Sequence, residues 1–336
     1  MRRGVALGAV GLIGASVISA CAAIIGLDPG TPLPDGEATD VAVDITTDTL
    51  PNDAPDDASV VTYGSISDVS RWSSFDLAKL QPAASSFGAG VYDAKNNRMY
   101  FLPYAGGNPG RLAVLDLAQP FTSPAAWTLT DVTGSTGLSY ARGYIGAELV
   151  SGTLICVPYY VYFSTVSYGY NGFLGFWDVA KSPDAGWSGT NMNALKTNAV
   201  GFLGSAFDGR YVYLAPEAHS IAARYDTTGA KDAGASYDFF DTSTLVPPAP
   251  AFRGAVFDGH YVYYIPVAGS IAARYDTTGQ FLNASSWTTF DLKGISTNAT
   301  SYGGGLFDGR YVYYAPYGGT TPHGFALRYD MTFFFT

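Results

Sequence analysis

A ten-residue segment recurs along the chain at a spacing of 50 residues: FDGRYVYLAP at 207–216, FDGHYVYYIP at 257–266 and FDGRYVYYAP at 307–316. Such a recurrence marks one structural unit that is used several times. Each unit contains short runs rich in Tyr, Val, Phe and Thr, bounded by Gly, Pro, Asn or Asp, and this pattern predicts strand–turn–strand. The Asp-Gly pair between two runs is typical of a tight hairpin turn with positive φ at both residues. The sequence therefore predicts an all-β repeat protein with four antiparallel strands per unit.

The four predicted strands, A to D, can be followed through the repeats. In the best-defined unit, strand A ends at Phe207, strand B covers 211–215, strand C covers 222–226 and strand D lies around 237–241. A proline ends strand B at Pro103, Pro158, Pro216, Pro266 and Pro316. An aspartate ends strand C at Asp116, Asp178, Asp226, Asp276 and Asp330, and an aromatic residue begins strand D at Trp72, Trp127, Trp187, Tyr237 and Trp287. We therefore expect five units.

The first and the last predicted units are each incomplete, and each has the strands that the other lacks. Trp72 and Asp76 mark a strand D with no strand A, B or C before it, whereas the last unit has strands A to C and no strand D after them. A first strand that completes the last sheet would close a ring and remove exposed sheet edges. The expected fold is all-β: a five-bladed β-propeller of four-stranded antiparallel blades at 64–336, closed by an N-terminal strand that completes the last blade.

The front of the chain has the features of a bacterial lipoprotein signal peptide at 1–20. Arg2 and Arg3 precede an apolar run that is too short to span a membrane. The run ends in Ile-Ser-Ala-Cys at 18–21, which resembles a lipobox, so we expect Cys21 to carry lipid chains such as palmitate. The alternative is an ordinary signal peptide that ends near a cysteine. Ala22 follows the cysteine, and by resemblance to the sorting rule of Gram-negative lipoproteins this favours the outer membrane, on its periplasmic side or at the cell surface.

The charge of the chain lies mainly in the segment after the signal peptide. Residues 22–70 hold ten acidic residues and no Lys or Arg, so 21–63 is expected to be a disordered acidic tether. The whole chain has a net charge of −10, but positions 71–336 hold 18 acidic and 16 basic residues, a net charge of −2. A nearly neutral domain lacks the basic surface that nucleic-acid binding requires. We expect a monomer whose partners are the membrane, through its lipid, and a glycan or protein ligand.

Aromatic residues are the main candidates for ligand binding. In propellers the D–A and B–C loops lie on one face, around the mouth of the channel, and here they carry several Tyr and Phe residues. Aromatic side chains suit stacking on sugar rings or contact with a protein loop, although the set at the start of strand A is equally explained by packing between blades. The candidates are Phe87, Tyr144, Phe202, Phe252 and Tyr302 at the start of strand A, and Tyr104 and Tyr317 in the B–C loops.

One loop has no counterpart in the other units. The segment 159–173 reads YYVYFSTVSYGYNGF, and seven of its fifteen residues are aromatic, against 15% in the whole chain. Because blade-building does not explain this loop, we expect it to bind ligand through Tyr160, Tyr162, Tyr168 and Tyr170. The alternative is a plug that folds over the channel and buries its own rings.

The sequence favours a binding module over an enzyme, and no catalytic residue, metal site or cofactor is expected. The repeated aspartates occupy turns and strand ends, where they accept backbone hydrogen bonds. The predicted inner strands contain one acidic residue away from the turns, Glu148, whereas a glycosidase needs two carboxylates. Cys156 has no partner and is expected to be a small buried apolar side chain.

The FDGRYVYYxP, ARYDTT and SWTTFD segments, behind a lipobox and an acidic tether, resemble those of bacterial surface lipoproteins with a five-bladed β-propeller. The resemblance covers the leader and about 64–336, and it implies a fold without implying an activity. Blade number and size are also similar to those of tachylectin-type lectins, whose motif residues do not occur here. The expected function is a lipid-anchored envelope module that binds glycan or protein through its loop face. The alternatives are a glycosidase-like hydrolase with a site in the non-repeated loops, or a structural component of the envelope.

Overall fold

The computed structural model describes residues 66–82, 84–104, 110–136, 141–164, 167–317 and 323–331. The predicted signal peptide, Cys21 and the acidic tether lie outside the described residues. Within them, no helix is long and apolar enough to cross a membrane.

The described chain is all-β and consists of successive antiparallel sheets, which confirms the predicted repeat. The first sheet contains β1 Phe87–Asp93, β2 Arg98–Pro103, β3 Arg111–Asp116 and β4 Trp127–Asp131, and the second contains β5 Tyr144–Val150, β6 Thr153–Pro158, β9 Phe173–Asp178 and β10 Trp187–Asn191. The third contains β11 Phe202–Phe207, β12 Tyr211–Pro216, β13 Ile221–Asp226 and β14 Tyr237–Asp241, and the fourth contains β15 Phe252–Phe257, β16 Tyr261–Pro266, β17 Ile271–Asp276 and β18 Trp287–Asp291. The fifth contains β19 Tyr302–Phe307, β20 Tyr311–Pro316 and β21 Leu327–Asp330.

The remaining elements are short. A two-stranded hairpin, β7 Tyr160–Ser164 with β8 Ser167–Tyr170, is inserted between β6 and β9. Two short α-helices follow β4 and β10: α1 Val132–Thr136 and α2 Met192–Leu195. Single 3₁₀ turns cover Val69–Arg71, Leu77–Lys79, Pro124–Ala126, Gly234–Ser236, Thr242–Thr244, Ala284–Ser286 and Leu292–Gly294.

The Asp-Gly turns of the repeat differ in one detail from the prediction. Of the two residues, only Gly209 has a positive φ, of 99°. Asp208 instead uses its side chain: one carboxylate oxygen accepts the Arg210 and Tyr211 N–H groups at 2.7 and 2.6 Å, and the other accepts the Tyr213 hydroxyl at 2.7 Å. The turn aspartate therefore holds the hairpin and its following strand together, as the structural interpretation of these residues predicts.

The hydrophobic core lies between consecutive sheets. Phe240 of β14 stacks on Trp287 of the next sheet, with ring centroids 4.8 Å apart and planes 12° from parallel, and both side chains are buried with Phe281. The inner strands approach closely, since a Cβ on Gly204 would lie 2.7 Å from the Cα of Gly254. Sheets that pack face to face in sequence, with their first strands innermost, have the arrangement of propeller blades. Cys156 is fully buried in this core, as predicted.

The segment around Trp72 is built like a fourth strand but is not paired as one. Trp72 donates its indole N–H to the Ile66 carbonyl at 2.8 Å, just as Trp287 donates to the Phe281 carbonyl, also six residues earlier, at 2.9 Å. The 3₁₀ turns Val69–Arg71 and Leu77–Lys79 flank the extended residues 72–76 as Ala284–Ser286 and Leu292–Gly294 flank β18. Residues 66–80 therefore have the local structure that surrounds a fourth strand, but residues 72–76 are not hydrogen-bonded into a sheet.

The segment packs against the first sheet. Phe75 stacks on Trp127 of the first sheet, with centroids 5.8 Å apart and planes 9° from parallel, and Leu77 and Leu80 pack beside it. The fifth sheet has three strands among the described residues. The predicted pairing of an N-terminal strand with the last sheet is therefore not observed, although the Phe75–Trp127 contact is equivalent to that of Phe240 with Trp287.

Candidate functional site

The D–A and B–C connections of each sheet meet at one end of that sheet. The residue after the proline of each second strand donates its backbone N–H to the segment that precedes the first strand, over 2.8 to 3.3 Å. We call the surface formed by these connections the loop face. The residues after the prolines are Tyr104, Tyr159, Glu217, Val267 and Tyr317.

The unrepeated segment of the second sheet is a hairpin rather than an irregular loop. In β7 and β8, Tyr160 lies opposite Tyr170 and Tyr162 lies opposite Tyr168. Asn171 fixes the base, since its side-chain N–H group donates to the Arg142 carbonyl at 2.9 Å and its side-chain oxygen accepts the Phe173 N–H at 2.9 Å. A pattern of alternating tyrosines in YYVYF was the available signal for strands, because alternation has the period of a β-strand.

The aromatic side chains at the base of the hairpin pack on one another. The Tyr170 ring lies 5.4 Å from the Tyr160 ring and 6.0 Å from the Tyr159 ring, and it also contacts His219 of the third sheet at 6.2 Å. Tyr170 nevertheless remains 43% exposed, whereas Val161 is buried. The side chains of Tyr162 and Tyr168 lie outside the described residues. The hairpin thus combines an anchored base with an accessible tyrosine.

An ion pair that the sequence analysis missed lies beside these tyrosines. Arg253, at the start of β15, places its Nη2 atom 3.2 Å from Oε1 of Glu217, and both side chains are largely buried. The Tyr159 hydroxyl donates to the other oxygen of Glu217 at 3.2 Å. Burial, together with the Glu217 carboxylate, raises the pKa of Tyr159, so that its hydroxyl stays a hydrogen-bond donor.

The sequence did carry a signal for this pair. Glu217 is one of three glutamates in the chain, and its equivalents in the other units are tyrosine or valine. Arg253 stands where the third unit has Leu203 and the fifth has Gly303. A charged residue at a position that is otherwise apolar or small is not needed to build the repeat, and this departure could have identified both residues.

Tyr317 completes the group on the side of the fifth sheet. The guanidinium carbon of Arg253 lies 4.4 Å from the centroid of the Tyr317 ring, a cation–π contact, and Tyr317 is 40% exposed. Tyr104, the equivalent residue of the first sheet, is half-buried. Both predicted B–C loop tyrosines therefore lie on the loop face, and Tyr317 joins the ion pair there.

The predicted aromatic set at the start of strand A lies elsewhere. Tyr144, Phe202, Phe252 and Tyr302 are fully buried, and Phe87 is half-buried. Their rings pack in the core, as Phe252 does against Tyr264 at 5.4 Å. The Tyr144 and Tyr302 hydroxyls are buried without a hydrogen-bond partner. Because no solvent reaches the four buried rings, they are packing residues in this structure and we remove them from the candidate ligand surface.

Glu148 and two of the histidines make separate contacts. Glu148 accepts a hydrogen bond from the Ser205 hydroxyl at 2.7 Å, and burial raises its pKa against the opposing effect of that bond. His323 contacts the Thr300 carbonyl, and His260 lies 3.2 Å from Asp276 at a turn. Among the described residues, no group of three or more His, Cys, Asp or Glu side chains could hold a metal ion.

Among known proteins, this chain shows similarity to solved structures but not to family models or curated sequences. No protein-family model and no curated protein matches the sequence. The chain is similar to a structure described as a nidogen/laminin complex, at 10% identity with a TM-score of 0.44, over 69% of this chain and 72% of that one. It is similar to the structure of YjhT at 10% identity with a TM-score of 0.45, over 70% and 75%. Regucalcin from Agrobacterium tumefaciens matches at 10% identity with a TM-score of 0.28, over 68% and 81%.

Proposed function

We propose that this chain is a lipid-anchored cell-envelope module that binds a glycan or a protein through its loop face. The observation that carries the proposal is the β7–β8 hairpin, which has no counterpart among the described residues of the other repeats and which presents Tyr170 to solvent beside Tyr160. Tyrosine is enriched in binding sites, because its ring offers apolar contact area and its hydroxyl group can form a hydrogen bond.

A retention assay tests the use of the loop face. The full-length chain is applied to immobilised envelope polysaccharides and envelope proteins, next to a Tyr160→Ser/Tyr170→Ser variant. The matched control is Tyr261→Ser/Tyr311→Ser, which alters two repeated tyrosines at the opposite end of β16 and β20. We expect the hairpin variant to lose retention and the control to keep it. Equal retention of both variants, with both folded, would show that the loop face does not bind.

The anchor is tested separately at Cys21. If the lipobox interpretation is right, Cys21→Ser abolishes lipid attachment and releases the protein from the membrane fraction, because an acyl chain contributes about 0.8 kcal/mol per buried CH₂ group. The measurement is membrane fractionation combined with intact mass. A Cys21→Ser protein that stays in the membrane fraction with an unchanged mass would contradict the lipoprotein assignment.

We also propose that the five sheets are the blades of one ring, with residues 72–76 as the fourth strand of the fifth blade. The register of β17 and β18 pairs Tyr275 with Trp287 and Ala273 with Thr289. Transferred to the fifth sheet, it places Tyr329 opposite Trp72 and Leu327 opposite Ser74.

The surroundings of this strand support the ring. A groove of about 340 Å³ runs between the fourth and fifth sheets and is lined by Phe290, Leu327 and Tyr329, among others. Phe290 is 54% exposed there, whereas the equivalent Phe240 is buried under Trp287. Trp72, the equivalent of Trp287, is itself 64% exposed. Filling the groove with residues 72–76 would place Trp72 on Phe290 while Phe75 keeps its contact with Trp127.

A further inference from the structure

A continuous line of side-chain contacts crosses the loop face from the second sheet to the fifth. It begins with the ring contacts among the tyrosines of the hairpin. The hydrogen bond from Tyr159 to Glu217 follows, then the Glu217–Arg253 ion pair, and then the cation–π contact of Arg253 with Tyr317. We call this line the tyrosine track. Its members, in order, are Tyr160, Tyr170, Tyr159, Glu217, Arg253 and Tyr317.

The track alternates between aromatic and hydrogen-bonding groups. Tyr170 is partly exposed at one end and Tyr317 at the other, and the Glu217–Arg253 pair lies between them. A small part of the pair is open to solvent, since the Arg253 and Glu217 side chains are 13% and 15% exposed. A surface with two separated ring faces and a polar centre differs from a purely apolar contact site.

The centre of the track is not a product of the repeat. The tyrosine at the position of Tyr159 and Tyr317 recurs in three units, but Glu217 and Arg253 each occur in one unit only. Three of the contacts join residues far apart in sequence: Tyr159 with Glu217, Glu217 with Arg253, and Arg253 with Tyr317. Blade-building therefore does not account for the arrangement, and a role in recognition does.

We infer that the tyrosine track binds an uncharged oligosaccharide of pyranose units, with rings packed on Tyr170 and Tyr317 and hydroxyl groups bonded to Glu217 and Arg253. This inference rests on the proposed function and selects a glycan over a protein. Sugar rings offer apolar C–H faces to aromatic side chains and a rim of hydroxyl groups that both donate and accept hydrogen bonds. Glu217 can accept from a hydroxyl group and Arg253 can donate to one.

The charge balance of the track favours an uncharged ligand. Arg253 already has a carboxylate partner, so an acidic sugar would have to compete with Glu217 for the guanidinium group. Tyr and Arg also occur often in protein interfaces, whereas glutamate is depleted there, so Glu217 is the residue of the track that favours a glycan over a protein. A ligand with neutral hydroxyl groups can share the hydrogen bonds of the pair without separating its charges.

Calorimetric titration of the full-length chain in detergent tests the inference. The probes are short cello-, malto- and chito-oligosaccharides, with oligogalacturonate of the same length as the acidic counterpart. We expect at least one uncharged probe to bind with an affinity that does not change with salt, because screening acts on charge–charge attraction. Tyr317→Ala should weaken binding about tenfold or more, whereas Tyr317→Phe, which keeps the ring, should weaken it much less.

Glu217→Gln tests the polar centre against a matched control. Asp226→Asn breaks another Arg–carboxylate pair, the more exposed Arg210–Asp226 at 2.6 Å, at the opposite end of the same sheet. We expect Glu217→Gln to weaken binding about tenfold to a hundredfold and Asp226→Asn to leave it unchanged, with both melting temperatures measured to exclude unfolding.

The outcomes separate this inference from the function on which it rests. Binding to oligogalacturonate alone, to envelope protein alone, or to an uncharged probe without dependence on Glu217 and Tyr317 would overturn the inference. In each of those cases, loss of binding in the Tyr160→Ser/Tyr170→Ser variant would leave the loop-face function standing. Binding that no variant on the loop face changes would overturn both.

Discussion

The fourth sheet and the second sheet show how one repeat unit can serve two purposes. In the fourth sheet, β15 to β18 are joined by short connections, and Phe281 and Trp287 are buried against their neighbours. In the second sheet, the connection between β6 and β9 is expanded into the β7–β8 hairpin. The strands are equivalent, and the difference lies at the loop face. What repeats builds the fold, and what departs from the repeat is where we propose that a ligand binds.

The largest expected effect tests the first half of this comparison. Trp287→Ala removes a buried ring that contacts Phe240, Tyr264 and Phe281. We expect the free energy of unfolding to fall by about 3–5 kcal/mol, the usual cost of truncating a buried aromatic residue. Denaturant unfolding measures this loss, and a loss below about 1 kcal/mol would contradict a core built from repeated aromatics.

Trp72→Ala sharpens the comparison at the N-terminal segment. If residues 72–76 fill the groove of the fifth sheet, this substitution should cost about 3 kcal/mol, as for another buried aromatic. If Trp72 stays exposed, the cost should lie within about 0.5 kcal/mol, as for ordinary surface positions. The same unfolding experiment decides between the two positions.

A cross-link tests the proposed register directly. Ser74→Cys with Leu327→Cys places two thiols on residues that face each other in the proposed pairing, where Cα atoms lie about 4.5–5.5 Å apart, within disulfide range. We expect a disulfide within one chain on mild oxidation. Ser74→Cys with Ala273→Cys, the equivalent position in the fourth sheet, is the control and should stay reduced. A disulfide between two chains would indicate an exchanged strand, and no disulfide would contradict the register.

The smallest expected effect depends on pH and concerns Glu148. Burial raises the pKa of the Glu148 carboxyl group in the folded chain above its ordinary value of 4.5. As the pH rises, the unfolded chain therefore loses this proton before the folded chain does. Ionisation of Glu148 therefore lowers the free energy of unfolding at high pH. This loss is absent below pH 4.5, where the carboxyl group is protonated in both states. We expect Glu148→Gln to raise the melting temperature at neutral pH and to leave it unchanged at pH values below 4.5. A stabilisation that is constant with pH would contradict a charge-based cause.

The repeat made most of the fold predictable. The landmarks at Phe207, Asp226 and Tyr237 predicted the ends of β11 and β13 and the start of β14, because each recurs at the same distance in several units. The hairpin was predicted as a loop, since no second copy was available to show its strands. The aromatic set from Tyr144 to Tyr302 shows the limit of the same reasoning, because a recurring aromatic residue is recognisable as a series but its burial depends on packing between sheets. The Glu217–Arg253 pair could not be predicted as a contact, because it joins different units across the loop face.

The central proposal is that the repeated sheets build the fold and that the unrepeated β7–β8 hairpin binds the ligand. Replacing residues 159–172 with the short connection of the third sheet, 217–220, removes the hairpin and leaves the sheets intact. The measurement is paired: melting temperature and affinity for the uncharged oligosaccharides on the same sample. The account predicts a melting temperature close to that of the unaltered chain and loss of measurable binding. Retained affinity, or a protein that no longer folds, would contradict it.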